Sequence, residues 1–171
     1  MKPLLYVTLV CGVVPMQVTL LQSAGLGGIR PDLCLIAACL IGMLEGELEG
    51  LLVGLALGYV QDLFSAGEMW VNLLTKGLVG CLAGLAGSRL TQATPVSILG
   101  LLGGLSLLSG VILLIAVRTG EGLADQFYAV WSLLLPEAAV NAALGMAAYW
   151  LLAGHARREG GFQKVPPGFL R

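Results

Sequence analysis

The chain has 171 residues, of which 57% are apolar and 11% are charged, and its formal net charge is −1. Soluble domains carry about 25% charged residues, so this composition excludes a soluble globular domain, and its low polarity excludes a disordered chain. The net charge provides no basic face for nucleic acid. Together with a mean hydropathy of +0.91, these values indicate an integral membrane protein.

Six apolar segments follow one another along the chain. They are continuously apolar and rich in leucine, alanine and glycine, which in lipid favours helices, because every backbone N–H and C=O must be paired within its segment. We therefore predict an all-α integral membrane protein with six transmembrane helices in one bundle over 1–154, followed by a basic tail over 155–171. The segments are 4–22, 32–45, 49–64, 70–89, 95–117 and 128–153.

Two parts of this assignment have alternatives. Segment 4–22 has the apolar character of a signal peptide, but its apolar run is longer and no small-residue cleavage site follows, so we interpret it as a span. The charge-free run 33–44 is short for a hydrocarbon core about 30 Å thick. We interpret 32–64 as a helical hairpin with its tip at the acidic turn 45–49, and a re-entrant pair is the alternative.

The distribution of lysine and arginine predicts the orientation of the bundle. With six spans, Arg30 and Arg118 fall on one side of the membrane and six basic residues fall on the other. Cytoplasmic loops carry the excess of basic residues, so both termini are predicted to be cytoplasmic. The six residues are Lys2, Arg89, Arg157, Arg158, Lys164 and Arg171.

Glycine recurs at every fourth position from 42 to 58. Because lipid chains are as apolar as leucine, helices in a membrane associate through close backbone approach, which small residues four apart permit. We predict that segments 49–64 and 70–89 pack tightly on each other or on a neighbouring protein. The interface glycines of this prediction are Gly50, Gly54, Gly58, Gly80 and Gly84.

Charged residues at membrane depth are costly, so each of them marks a structural or functional site. Asp62 lies near the end of one predicted helix, and Lys76 lies about two turns into the next. We predict an ion pair between them, with Gln61 and Asn72 hydrogen-bonded beside it, because a lysine side chain can extend along its helix. A pair that fixes the hairpin register is favoured over a part in transport, since one isolated pair forms no proton relay.

The last segment contains a proline that has no N–H to donate to the Ser132 carbonyl, so we expect a kink at Pro136. Glu137 and Asn141 are one turn apart and should both face inward. We expect a similar part in the first segment for Pro15, Gln17 and Gln22.

The sequence contains no recognisable pattern for catalysis, a cofactor or a metal. The one histidine, His155, lies in the tail, and neither paired aspartates at membrane depth nor a phosphate-binding glycine loop occurs. We therefore predict a non-enzymatic protein without a cofactor. The cysteines, which we interpret as small buried apolar residues, are Cys11, Cys34, Cys39 and Cys81.

Four motifs occur in an ordered series that covers most of the chain. They are Arg30-Pro31-Asp32-Leu33, GLLVGLALGYVQDLFSAG at 50–67, VNLLTKGLVGCLAG at 71–84, and Pro136 with Asn141. In this order they resemble the MreD family, the rod shape-determining membrane proteins of bacteria, most strongly from Ile29 to Leu90. Ala66 and Trp70 stand where the family often has glycine, and Trp70 would instead suit an interfacial anchor.

The resemblance implies a non-enzymatic scaffold of the cell-elongation machinery in the bacterial inner membrane. MreD-like proteins associate with MreC, and with it they connect the MreB cytoskeleton to RodA and a class B penicillin-binding protein. The resemblance also implies a six-helix bundle similar to the substrate-binding subunits of energy-coupling-factor transporters. A vitamin-binding subunit of such a transporter is therefore the alternative function, and it would need a pocket with several convergent polar or aromatic residues.

Overall fold

The computed structural model describes residues 12–17, 30–64, 70–89, 94–117 and 128–159, with the side chains of the last range described to Leu151. These residues are helical apart from short connections, and no strand occurs among them, so the all-α prediction is confirmed. The helices are 12–17 (α1), Leu33–Glu45 (α2), Glu47–Phe64 (α3), Val71–Arg89 (α4), Pro95–Val117 (α5) and Leu135–Glu159 (α6), which continues a helical stretch that begins at 128.

Three helical stretches are long and apolar enough to cross a membrane, namely Val71–Ser88, Pro95–Ala116 and Val130–Leu151. They support a membrane protein and three of the six predicted spans. The helix α2 is apolar but has 13 residues, which span about 20 Å against a hydrocarbon core of about 30 Å. The helix α3 has 18 residues and includes three acidic ones, Glu47, Glu49 and Asp62.

Some predictions lie outside the described residues. They include most of segment 4–22, Gln22, and the basic residues Lys2, Arg118, Lys164 and Arg171. Of the predicted tail, only 155–159 is described, and its backbone continues α6.

A single glycine separates α2 from α3. Gly46 has φ 120°, a backbone conformation that side chains disfavour, and its N–H donates to the Gly42 carbonyl. The two helices run antiparallel from this point and form the hairpin predicted for 32–64. Glu47 and Glu49 occupy the first turn of α3, where carboxylates interact favourably with the helix dipole.

The glycine stripe of α3 lies directly against the backbone of α4. A β-carbon at any of its three glycines would overlap an α4 carbonyl group. Because the contacts advance by four residues on both antiparallel helices, they fix the register of the pair. They join Gly50 with Gly80, Gly54 with Lys76, and Gly58 with Asn72.

The helix α2 packs on the same unit through its own glycine. A β-carbon at Gly42 would overlap the Gly80 carbonyl, and one at Gly84 would overlap the backbone of Gly46 and Glu47. The predicted interface glycines therefore lie inside a unit of α2, α3 and α4, where this chain itself covers them.

The helices α5 and α6 form an antiparallel pair that packs on α2 and α4. Gly110 of α5 lies against the Leu134 side chain, and Gly145 of α6 lies against Leu102. An apolar cluster joins this pair to the glycine-packed unit, so the bundle has a continuous core. The cluster comprises Leu35, Ile36, Cys39, Leu40, Val79, Ala83, Ile98, Leu102, Leu105, Ala142 and Tyr149.

A π-helical turn over Val130–Leu134 precedes Pro136, the residue at which the sequence predicts a kink. The Leu135 N–H bonds to the Val130 carbonyl, five residues back. The Ser132 hydroxyl donates to the Tyr128 carbonyl at 2.7 Å. A π turn is one of the usual ways in which a helix accommodates a break in its hydrogen-bond ladder, and the missing N–H of Pro136 provides the break here.

We expect Gly54→Ala to lower the free energy of unfolding by about 1–3 kcal/mol, because the new methyl group meets the Lys76 carbonyl. Gly104→Ala is the matched control, since nothing lies within 4 Å of a β-carbon there. Alanine is the better helix former, so the control should be neutral or gain up to about 1 kcal/mol. Chemical denaturation in detergent, followed by circular dichroism, measures both, and equal stabilities would contradict this packing.

Candidate functional site

A buried polar network surrounds the N-terminus of α2. Asp32 is the N-cap residue, and its Oδ1 accepts the Leu35 N–H at 3.0 Å. Its carbonyl accepts the Ile36 N–H at 3.0 Å. Aspartate is a preferred N-cap because its side chain pairs an N–H that has no partner within the helix.

The second carboxylate oxygen of Asp32 binds a lysine from another helix. Lys76 Nζ lies 2.9 Å from Asp32 Oδ2, and it donates to Asn72 Oδ1 at 2.8 Å. The lysine is 1% exposed and ranks first by volume among the fully buried side chains. A buried charge is strongly destabilising without a partner, so this ion pair is what allows Lys76 to lie inside the bundle.

The predicted Asp62–Lys76 ion pair is therefore wrong. Asp62 is buried, but its carboxylate binds the first turn of α4 instead of the lysine. Helix N-termini present unpaired N–H groups and the positive end of the helix dipole, so they satisfy a carboxylate without a cation. The donors are the N–H groups of Trp70, Asn72 and Leu73, at 3.1, 3.2 and 2.9 Å, and Asn72 Nδ2, at 2.8 Å.

Asn72 connects the two carboxylate sites. Its amide nitrogen donates to Asp62 while its amide oxygen accepts from Lys76. This orientation follows from charge, because a carboxylate can only accept and an ammonium group can only donate. Asn72 thus lies beside both charged residues, as expected from the sequence, but it separates them.

Trp70 lies in a strained position at the start of α4. It has φ 86°, and its carbonyl accepts the Leu74 N–H at 3.0 Å, so it is the residue before the helix. An indole cannot cap a helix as an aspartate does, and Asp62 performs that function from α3. The Trp70 side chain is 57% exposed.

Gln17 and Asn141 hold the backbone next to Asp32. From α1, Gln17 donates to the Pro31 carbonyl at 3.0 Å and accepts the Leu33 N–H at 2.8 Å. From α6, Asn141 Oδ1 accepts the Asp32 N–H at 2.9 Å, and its Nδ2 donates to Ser106 Oγ of α5 at 2.8 Å.

These contacts bring three other helices to the start of α2. Asp32 lies beside Asn141 of α6 and Lys76 of α4, and Gln17 of α1 binds the backbone on either side of it. The short helix α2 is therefore held at its start by polar side chains of α1, α4 and α6.

A small polar cavity lies next to the network, between α2, α4, α5 and α6. Its volume is about 50 Å³. Glu137 and Asn141 both line it, so the two residues share a face of the last helical stretch. The other lining residues are Asp32, Leu35, Asn72, Thr75, Ser106, Ser109, Gly110, Leu113 and Leu134.

The described cysteines are free thiols. Cys34 and Cys39 are buried and Cys81 is half-buried. Within the described ranges, no group of three or more histidine, cysteine, aspartate or glutamate residues is placed to hold a metal ion.

The pairing of Asp32 with Lys76 was not predicted from the sequence, because Asp32 was considered only as part of the motif Arg30-Pro31-Asp32-Leu33. Its signal was an aspartate directly after Pro31 and before an apolar helix, which is an N-cap pattern. In that pattern one carboxylate oxygen accepts a backbone N–H of the first helical turn, and the other oxygen remains able to bind a cation.

Comparisons of the chain with family models, with curated proteins and with solved structures gave no match.

We expect Lys76→Met to lower the free energy of unfolding by about 2–4 kcal/mol, because Asp32 becomes a half-buried carboxylate without its cation. Adding Asp32→Asn should recover part of this loss, since asparagine also caps a helix and no charge remains. Adding Asp62→Asn should cause a further loss, because that carboxylate binds the start of α4. Denaturation of the single and double variants tests the assignment. If Asp62→Asn, and not Asp32→Asn, restored stability to Lys76→Met, Asp62 would be the partner of Lys76.

Trp70→Gly and Trp70→Ala remove the same indole but differ in their tolerance of positive φ. We expect the glycine variant to be more stable than the alanine variant by about 1 kcal/mol, because only glycine adopts φ 86° without a steric penalty. Thermal unfolding in detergent compares the two. If the alanine variant were the more stable, residue 70 would not hold this conformation.

Proposed function

We propose that the chain is a non-enzymatic membrane scaffold of the bacterial cell-elongation complex, in which it binds an MreC-like protein. The resemblance of its motifs to MreD supplies the partner. In this proposal the chain lies in the inner membrane with both termini in the cytoplasm. It supports peptidoglycan synthesis and cell shape through MreC, and indirectly through MreB, RodA and a class B penicillin-binding protein.

The observation that supports a scaffold is the use made of the buried polar side chains. Asp32, Asp62, Gln17 and Asn141 each bind backbone groups at the start of a helix. Such bonds fix the positions of helices, and they leave these side chains occupied by the protein's own backbone. A rigid bundle of this kind suits a protein whose task is to hold other membrane segments in place.

The size of the polar cavity favours the scaffold over the vitamin-binding alternative. Pockets for drug-sized ligands enclose about 300–1,000 Å³, whereas this cavity has about 50 Å³. It has polar lining residues, as a vitamin site would, but no aromatic residue is among them.

A partner segment would meet the outer side of the bundle. The glycines of α3 are covered by α4, while Leu48, Leu52 and Leu63 of α3 are more than half exposed. In a membrane these leucines face lipid or an adjacent transmembrane segment. They are therefore suitable positions for detecting a neighbour without disturbing the core.

The test is photo-crosslinking in cells that produce the chain together with an MreC-like protein from the same genome. A crosslinking amino acid is placed at an exposed position on each of three helices, Leu52, Leu78 and Val111, and at Leu57, which is 0% exposed, as the control. We expect a crosslink to the MreC-like protein from at least one exposed position and none from Leu57. We also expect depletion of the chain to produce rounded cells.

Two results would contradict the proposal. One is the absence of any crosslink or co-purification with the MreC-like protein when both proteins are folded in the membrane. The other is a stoichiometric small molecule in the purified chain, identified by mass spectrometry, which would favour the transport subunit.

A further inference from the structure

The carboxyl group of Glu137 differs from those of Asp32 and Asp62 in its surroundings. Asp32 has an ion pair with Lys76, and Asp62 binds the start of α4. Glu137 makes neither an ion pair nor a hydrogen bond with any residue that the structure describes. It is half-buried and faces the polar cavity.

The charges around Glu137 do not supply a counterion in contact with it. They are Asp32, Lys76 and Arg30. The ammonium group of Lys76 is 2.9 Å from Asp32, and the Arg30 side chain is exposed. An ionised Glu137 would therefore lie near the Asp32 carboxylate without a contacting cation of its own among the described residues, which is unfavourable.

A second polar group lines the same cavity. Ser109 of α5 is 9% exposed, and its hydroxyl makes no hydrogen bond with a described residue. A hydroxyl at the wall of a cavity can bond to water inside it. Ser109 thus offers a hydrogen-bonding group to an occupant of the cavity.

The volume of the cavity restricts that occupant. One water molecule needs roughly 10–15 Å³ in this measure, so 50 Å³ holds about three or four. A group of that size can link Glu137 to Ser109 through hydrogen bonds, whereas a metabolite cannot enter.

We propose that the cavity is a hydrated proton-binding site, in which Glu137 is a neutral carboxylic acid that is hydrogen-bonded through water to Ser109. The proton comes from a hydronium ion, whose O–H bond breaks as a new O–H bond forms on the carboxylate and a water molecule remains. Protonation removes a charge that has no contacting counterion among the described residues, and it adds an O–H donor from which the cavity water can accept a hydrogen bond. This site is separate from the binding of an MreC-like protein.

The test is infrared spectroscopy of the full chain in nanodiscs, which detects the C=O stretch of a protonated carboxyl group. We expect the wild-type protein to show this band at neutral pH and to lose it at alkaline pH. Glu137→Gln should abolish the band, while Glu47→Gln, a matched change of an exposed glutamate, should retain it. Ser109→Ala should shift the band, because one hydrogen-bond partner of the hydrated site is lost.

Three results would overturn the proposal, given variants that keep the wild-type circular dichroism spectrum. They are the absence of the band from the wild-type protein at neutral pH, its persistence in Glu137→Gln, and its loss when sodium chloride is added at constant pH. The last result would mean that an alkali cation, rather than a proton, neutralises Glu137.

Discussion

The contact between the Asp32 carboxylate and the Lys76 ammonium group determines how the helices of this protein meet. Asp32 caps α2, and the same side chain is the counterion of a lysine that is 1% exposed. The contact fixes the start of α2 beside α4. The backbone on either side of Asp32 can then be held by Gln17 from α1 and Asn141 from α6.

Two kinds of packing are combined around this contact. Between α2, α3 and α4, glycines bring backbones together, and the attraction is van der Waals contact over a long close approach. The pair of α5 and α6 joins this unit through an apolar cluster and through the hydrogen bonds of Asn141. The glycine-packed unit cannot accept an added methyl group at its contacts, whereas the seam beside α5 and α6 contains a cavity.

The helices and their bounds were predictable from the sequence, because they depend on residues that are close together in the chain. The bounds of 95–117 coincide with α5, and those of 32–45, 49–64 and 70–89 differ from the helices by one or two residues, because continuous apolar runs and glycine spacing are properties of neighbouring residues. The partner of Lys76 was not predictable in this way. Asp62 is closer in sequence, but the packing of α2 on α4 brings in Asp32 from the start of the α2–α3 hairpin, and this contact depends on tertiary structure.

The carboxyl groups of Asp32, Asp62 and Glu137 have different roles because their surroundings differ. Asp32 pairs with a cation, and Asp62 pairs with a helix N-terminus, so both carboxyl groups hold helices in position. Glu137 borders a cavity instead, and among the described residues it contacts neither a cation nor a helix N-terminus. Of these three carboxyl groups, Glu137 is therefore the one whose change of charge would break no helix contact that the structure describes.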